Sequence, residues 1–209
     1  MAAKLIILRH GEKPKGKNSA LELSSAGKAR AKALAENYLG KGAKHELFGK
    51  DGPDAFLAIT PHTLETASPS ALSWGLPVAT YSIAGRATPA SLARRTQDAA
   101  KRVTRALARG KTVVMVWEHK HIASKKLEEA YPSEKITLRQ LLQLDTLGSQ
   151  VPDKWEGENY DYFWIATYGK GSDAPTGFEA HKQKFDAPYQ NVPQNDWGVA
   201  VTLPSDCQS

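Results

Sequence analysis

The chain has 209 residues, with 28 lysines and arginines against 22 aspartates and glutamates, and a single cysteine, Cys207, close to its end. An intramolecular disulfide and a cysteine-based structural zinc site are therefore excluded, and 41% apolar with 24% charged residues is the composition of a folded domain. No apolar run approaches the ~18 residues of a membrane span, Leu5 to Leu8 is too short for a secretory core, and a net charge of +6 favours anionic ligands without the dense basic stripe of a nucleic-acid binder, so a soluble cytoplasmic protein is expected.

Leu5 to Leu8 is apolar at every position, which predicts a buried central strand of a parallel sheet. Ser24 or Ser25 caps a helix carrying Ala29, Ala33, Leu34 and Tyr38, with Gly40 at its C-terminal end. Asp54 to Thr60 reads as the second strand, and a short helix follows from about Leu64 to Trp74. Pro77 to Ile83 has the character of an edge strand. Pro89 to Arg109, with proline at its start and Gly110 just past its end, is a helix with a stripe of Leu92, Ala99, Val103 and Leu107. Thr112 to Trp117 is a β-branched strand. Helical patterns return at Ile122 to Ala130 and Leu138 to Leu144, and Tyr160 to Ala166 is the last core strand.

Alternating strands and helices of this kind predict an α/β domain with a mostly parallel central sheet covered by helices on both faces. From Thr167 to the end the composition turns to Gly, Pro, Asn, Asp and Gln. A single domain over 1–209 is expected, with 167–209 a loop-rich extension packed by its aromatics and carrying a short strand at Gly198 to Thr202.

In such sheets, sites form outside the carboxyl ends of the strands. The first strand ends in Arg9-His10-Gly11-Glu12-Lys13, the second in Thr60-Pro61-His62 and the fourth in Trp117-Glu118-His119. Three of the six histidines thus fall at strand ends of one polarity. A neutral imidazole is a nucleophile toward phosphorus, arginine offers a fork of donors matched to phosphate oxygens, and glycine lets the backbone approach a tetrahedral group.

Arg9-His10-Gly11 after an N-terminal apolar strand resembles the signature of the histidine phosphatase superfamily, and Arg-His-Gly-Glu-Lys-Pro at 9–14 is similar to one branch of it. Leu23-Ser24-Ser25-Ala26-Gly27 resembles the start of that family's first helix, and His119 falls where its second histidine does. The resemblance covers about residues 4 to 165. It implies a phosphoglycerate mutase-like three-layer sandwich, and a phosphatase acting through a phosphohistidine on His10. In that scheme Arg9, His62 and His119 hold the phosphoryl oxygens, and neither a metal nor an organic cofactor is required.

The sequence departs from the family pattern in one position. The second arginine expected four residues before Thr66 is His62, so either His62 is a pH-dependent phosphate ligand or Arg86 supplies the guanidinium from a loop. The general acid is assigned to Glu118, with Asp161 second. Strand alternation would point Glu118 away from His119 unless the strand ends there. Glu12 reads as an orienting group, and His45, His121 and His181 as exposed or supporting residues. His119-Lys120-His121 has the spacing of a metal site but lacks carboxylates nearby at fixed spacing. The expected partner is a small phosphorylated substrate, not nucleic acid or membrane. A phosphomutase and a phospholigand-binding protein without turnover remain alternatives, and neither substrate nor oligomeric state is specified.

Overall fold

The computed structural model of the protein describes residues 2–16, 21–82 and 88–208. Six strands form one sheet: β1 (Ala3–Arg9), β3 (Ala55–Ala58), β4 (Val78–Thr80), β5 (Thr112–Trp117), β6 (Tyr162–Tyr168) and β7 (Pro175–Lys182). Their order is β4-β3-β5-β1-β6-β7. The β1–β5, β5–β3 and β3–β4 pairs are parallel, whereas β6 runs antiparallel to β1 and β7 antiparallel to β6.

The continuous apolar run of β1 is explained by its place in the middle of the sheet. Alternate residues leave opposite faces. Leu5 and Ile7 join Val113, Met115, Trp117 and the Ala99, Val103 and Leu107 stripe of α3 (Pro89–Ala108). Ile6 and Leu8 join Phe56, Val114 and Val116 against α1 (Ser25–Leu34) and α2 (Pro61–Ser73) through Ala33, Leu34, Ala67 and Ala71. Helix, sheet and helix therefore make the three layers, mostly parallel at the centre.

Helix starts follow their caps. Ser24 accepts the Gly27 N–H at α1, and Thr60 and Thr88 form capping boxes with Thr63 and Ser91, with proline at the first position. α1 does not run unbroken to Gly40, because Ala35–Leu39 forms a π-helical turn. The helix expected over 122–130 divides into α4 (His119–Ile122) and α5 (Lys125–Ala130), and that over 138–144 into α6 (Leu138–Leu141) and a 3-10 stretch, Leu144–Gln150.

The tail departs most from expectation. Residues 175–182 add β7 to the edge of the main sheet, no strand forms at 198–202, and the short strand is β8 (Cys207–Gln208), which pairs with β2 (Lys13–Pro14). β7 is an edge strand with Phe178 its one large apolar residue, so its burial pattern lacks the clear alternation that marks a half-buried strand. Among the described residues, no helix is long and apolar enough to cross a membrane.

Candidate active site

The carboxyl ends of β1, β3 and β5 lie side by side, and the antiparallel β6 brings its amino end to the same edge. Arg9 ends β1 and His10 follows it directly, both buried. His10 Nδ1 lies 2.7 Å from the Gly11 carbonyl oxygen, which only accepts, so Nδ1 carries the hydrogen and the lone pair of the neutral ring is at Nε2. Nε2 faces Glu118 Oε2 at 3.4 Å. His62, in the first turn of α2, has its ring 5.8 Å from that of His10, centroid to centroid. One donor atom each of His10, Glu118 and His119 lies within 4.8 Å of the other two.

β5 ends at Trp117. Glu118 is the N-cap residue of the one-turn helix that His119 opens, so strand alternation no longer applies and both side chains reach the same cluster around His10. The Thr60 hydroxyl donates to Glu118 Oε1 at 2.8 Å, and Lys13 Nζ stands 3.4 and 3.5 Å from its two oxygens.

Burial pushes the His10 imidazole below its ordinary pKa, and burial with the neighbouring Arg9 pushes His119 down to about 3, so the His119 ring is neutral at neutral pH. Burial alone would raise Glu118, yet its carboxyl is held well below the usual range by its neighbours. The facing His10 ring is the first of these neighbours, followed by the Lys13 ammonium and the Thr60 hydroxyl.

Arg9 is less available than the sequence implied. Its Nη1 donates to the Gly157 carbonyl and its Nη2 to the Tyr160 hydroxyl, while the guanidinium lies 3.8 Å over the Tyr160 ring centroid. Arg9 Nε and His119 Nδ1 are buried and make no hydrogen bond among the described residues. Arg86 lies outside the described residues.

The loop carrying His10 is locked to α1 and α2. The Gly11 N–H donates to Thr66 Oγ1, which in turn donates to the His62 carbonyl. Ser24 N–H and Oγ–H both donate to the Glu12 carbonyl. A Cβ on Gly11 would stand 2.9 Å from the Gly27 carbonyl oxygen, and one on Gly27 only 2.3 Å from that of Glu12. Glycine at both positions is what allows this approach. The Glu12 carboxylate, fully buried, accepts from Nε and Nη2 of the equally buried Arg30 at 2.7 to 3.1 Å, which fits an orienting role.

Asp161 is turned to the tail, where Oδ2 accepts the Asn195 N–H. His121 is buried, with Nε2 3.4 Å from the Pro89 carbonyl oxygen, rather than exposed, because α4 tucks it under α3. Sequence reasoning did not anticipate Thr60, Tyr160 or Lys13 in the site. Two of these carried a signal, since Thr60 ends the second strand and Lys13 belongs to the signature string; Tyr160 carried none.

His10, Glu118 and His119 are a donor set of the type that holds zinc. The Lys13 ammonium beside Glu118 and the Arg9 guanidinium oppose a cation there, and the same positive field suits an oxyanion.

The fold is a three-layer α/β sandwich of the phosphoglycerate mutase-like kind. Among solved structures, the chain is similar to a mycobacterial glucosyl-3-phosphoglycerate phosphatase, with 14% identity, a TM-score of 0.51, and 88% of this chain and 99% of that one covered. It is also similar to mycobacterial hydrolase 2 (15% identity, TM-score 0.48, 98% and 94% covered) and to a phosphoserine phosphatase from Entamoeba histolytica (14%, 0.44, 90% and 99%). No family model and no curated protein matches the chain.

Proposed function

We propose that the protein is a phosphohydrolase that cleaves phosphate monoesters through a covalent phosphohistidine on His10. The observation that carries this reading is the placement of the His10 ring: Nδ1 lies 2.7 Å from the Gly11 carbonyl oxygen, which leaves Nε2 as the atom that faces a second imidazole, a carboxylate and two cations. Similarity of fold to a phosphatase supports it.

In the proposed reaction the phosphoryl group enters between Nε2 and Glu118, displacing their contact. Nε2 forms the bond to phosphorus as the bond to the leaving oxygen breaks in line, which places Glu118 on the leaving-group side to donate a proton to that oxygen. Arg9 through Nε, His62 and His119 hold the remaining oxygens, where charge spreads in the transition state. Glu118, now a carboxylate, takes a proton from the water that attacks phosphorus, the P–N bond breaks, and phosphate leaves. His62 binds phosphate best as imidazolium, so activity declines toward alkaline pH.

The alternative of a phospholigand-binding protein without turnover draws on the ionised state of Glu118, which has to gain a proton before it acts as an acid. Turnover of p-nitrophenyl phosphate, inhibited by vanadate and abolished in His10→Ala, separates the two. Labelled phosphate trapped on the chain, stable to alkali and released by acid, identifies the intermediate. Full turnover in His10→Ala would refute the mechanism.

A further inference from the structure

The position where a second arginine was expected holds His62, and the first arginine spends two of its nitrogens on Gly157 and Tyr160. The pocket still contains a second full positive charge. Lys13 Nζ and His10 Nε2 approach the same oxygen, Glu118 Oε2, each at 3.4 Å. The two nitrogens are therefore within about 7 Å of each other, and a phosphorus at the ~3–3.5 Å of a near-attack geometry from Nε2 has oxygens between them.

The backbone that delivers this ammonium is held by the far end of the chain. β2 pairs with β8 in the register Lys13↔Gln208 and Pro14↔Cys207, and the Lys15 N–H donates to the Asp206 carbonyl at 2.9 Å. β8 is itself clipped to the start of α1. The buried Cys207 thiol lies 3.1 Å from Ser24 Oγ, and the Ser25 hydroxyl donates to Asp206 Oδ2 at 2.9 Å. Ser24 is the residue that caps α1 and holds the Glu12 carbonyl. One set of contacts thus fixes the loop on both sides of Glu12.

We propose that Lys13, presented by the C-terminal strand, is a phosphate-binding residue that supplies the pocket's second fixed cation in place of the absent arginine. This inference rests on the phosphatase reading of the same site. When a phosphoryl group enters, the ammonium passes from Glu118 to a phosphoryl oxygen. The carboxyl thereby loses one of the neighbours that hold it ionised, which favours uptake of the proton it delivers to the leaving group. Lysine binds such an oxygen as a point charge rather than a fork, so arginine substitutes for it in charge but not in shape.

The test compares the full-length wild type with Lys13→Met and Lys13→Arg. It uses steady-state kinetics with p-nitrophenyl phosphate, inhibition by vanadate, and calorimetric titration with inorganic phosphate. Lys13→Met is expected to lower kcat/KM by about 100-fold and to weaken vanadate and phosphate by at least tenfold, with Lys13→Arg recovering most of the loss. Removing the ammonium beside the Glu118 carboxylate lowers the melting temperature, so all measurements are made at a temperature where both proteins are folded. Cys207→Asp, which sets a carboxylate against the Ser24 contact, should weaken phosphate binding in the same direction. If Lys13→Met matches the wild type in turnover and in phosphate affinity, the assignment of Lys13 is wrong while the phosphatase reading stands. If the wild type neither turns over the ester nor binds vanadate or phosphate, the phosphatase reading fails and the assignment with it. If the wild type binds phosphate without turnover, the affinity difference between wild type and Lys13→Met decides the assignment alone.

Discussion

Replacing Gly27 by alanine adds one methyl group in the first turn of α1, at the point where the helix meets the loop bearing His10. The new Cβ would stand 2.3 Å from the Glu12 carbonyl oxygen and 2.9 Å from its nitrogen, where about 3.4 Å is an ordinary contact. Loop and helix must therefore part by about 1 Å. That separation pulls on the two hydrogen bonds from Ser24 to the same carbonyl, at 2.9 and 3.0 Å, and on the Glu12–Arg30 pair behind it. Overpacking of this kind costs about 1–3 kcal/mol, which for a chain of this size lowers the melting temperature by roughly 2–12 °C. A reactive group displaced by about 1 Å loses on the order of 100-fold in rate, and His10 is two residues from the point of contact. Turnover of p-nitrophenyl phosphate and a thermal melt measure both effects. Gly49→Ala, whose Cβ would meet nothing within 4 Å, is the control and should behave as wild type. Wild-type kcat/KM and melting temperature in Gly27→Ala would refute the claim that this approach positions the nucleophile.

Glu118→Gln should cost about 10²–10⁴-fold with an alkyl phosphate, whose leaving oxygen needs a proton, and far less with p-nitrophenyl phosphate, which leaves as a weakly basic phenolate; equal losses on both would remove Glu118 as the acid. Because Glu118 is held below the ordinary carboxylate range, its protonated fraction falls as pH rises. The rate on alkyl phosphates should therefore fall between pH 5 and 9 more steeply than on the aryl ester, and identical profiles would count against the assignment. Stability should fall on acidification. His119 and His10 titrate lower in the folded protein than in the unfolded chain, so the unfolded state binds more protons below about pH 6.5 and is favoured there. Glu118, also depressed, acts in the same direction at lower pH, and His119→Gln should flatten the melting temperature between pH 6.5 and 4. Arg30→Met leaves the buried Glu12 carboxylate without its cation and frees Gln183 from α1, at a cost of about 3–5 kcal/mol. A double variant, Glu12→Leu with Arg30→Met, should recover much of that stability in a denaturant titration.

The sequence by itself determined the central layer and the polarity of the site. Four consecutive apolar residues at 5–8 have to be buried on both faces. The histidines that follow β1, β3 and β5 then lie at one edge, because parallel strands end together. The caps at Ser24, Thr60 and Thr88 are equally local, since a hydroxyl three residues ahead of an open N–H is enough to start a helix. What only the tertiary structure decided are the contacts between residues far apart in the chain. Tyr160 under Arg9, Thr60 on Glu118, Lys13 on Glu118 and Cys207 against Ser24 join positions separated by 58 to 183 residues. No periodicity encodes such a pair, because each partner is chosen by where two strands or loops arrive in space. The same reason explains β7, which takes its register from hydrogen bonds along β6 rather than from a face of its own, and Glu118, whose direction depended on whether β5 stopped one residue earlier.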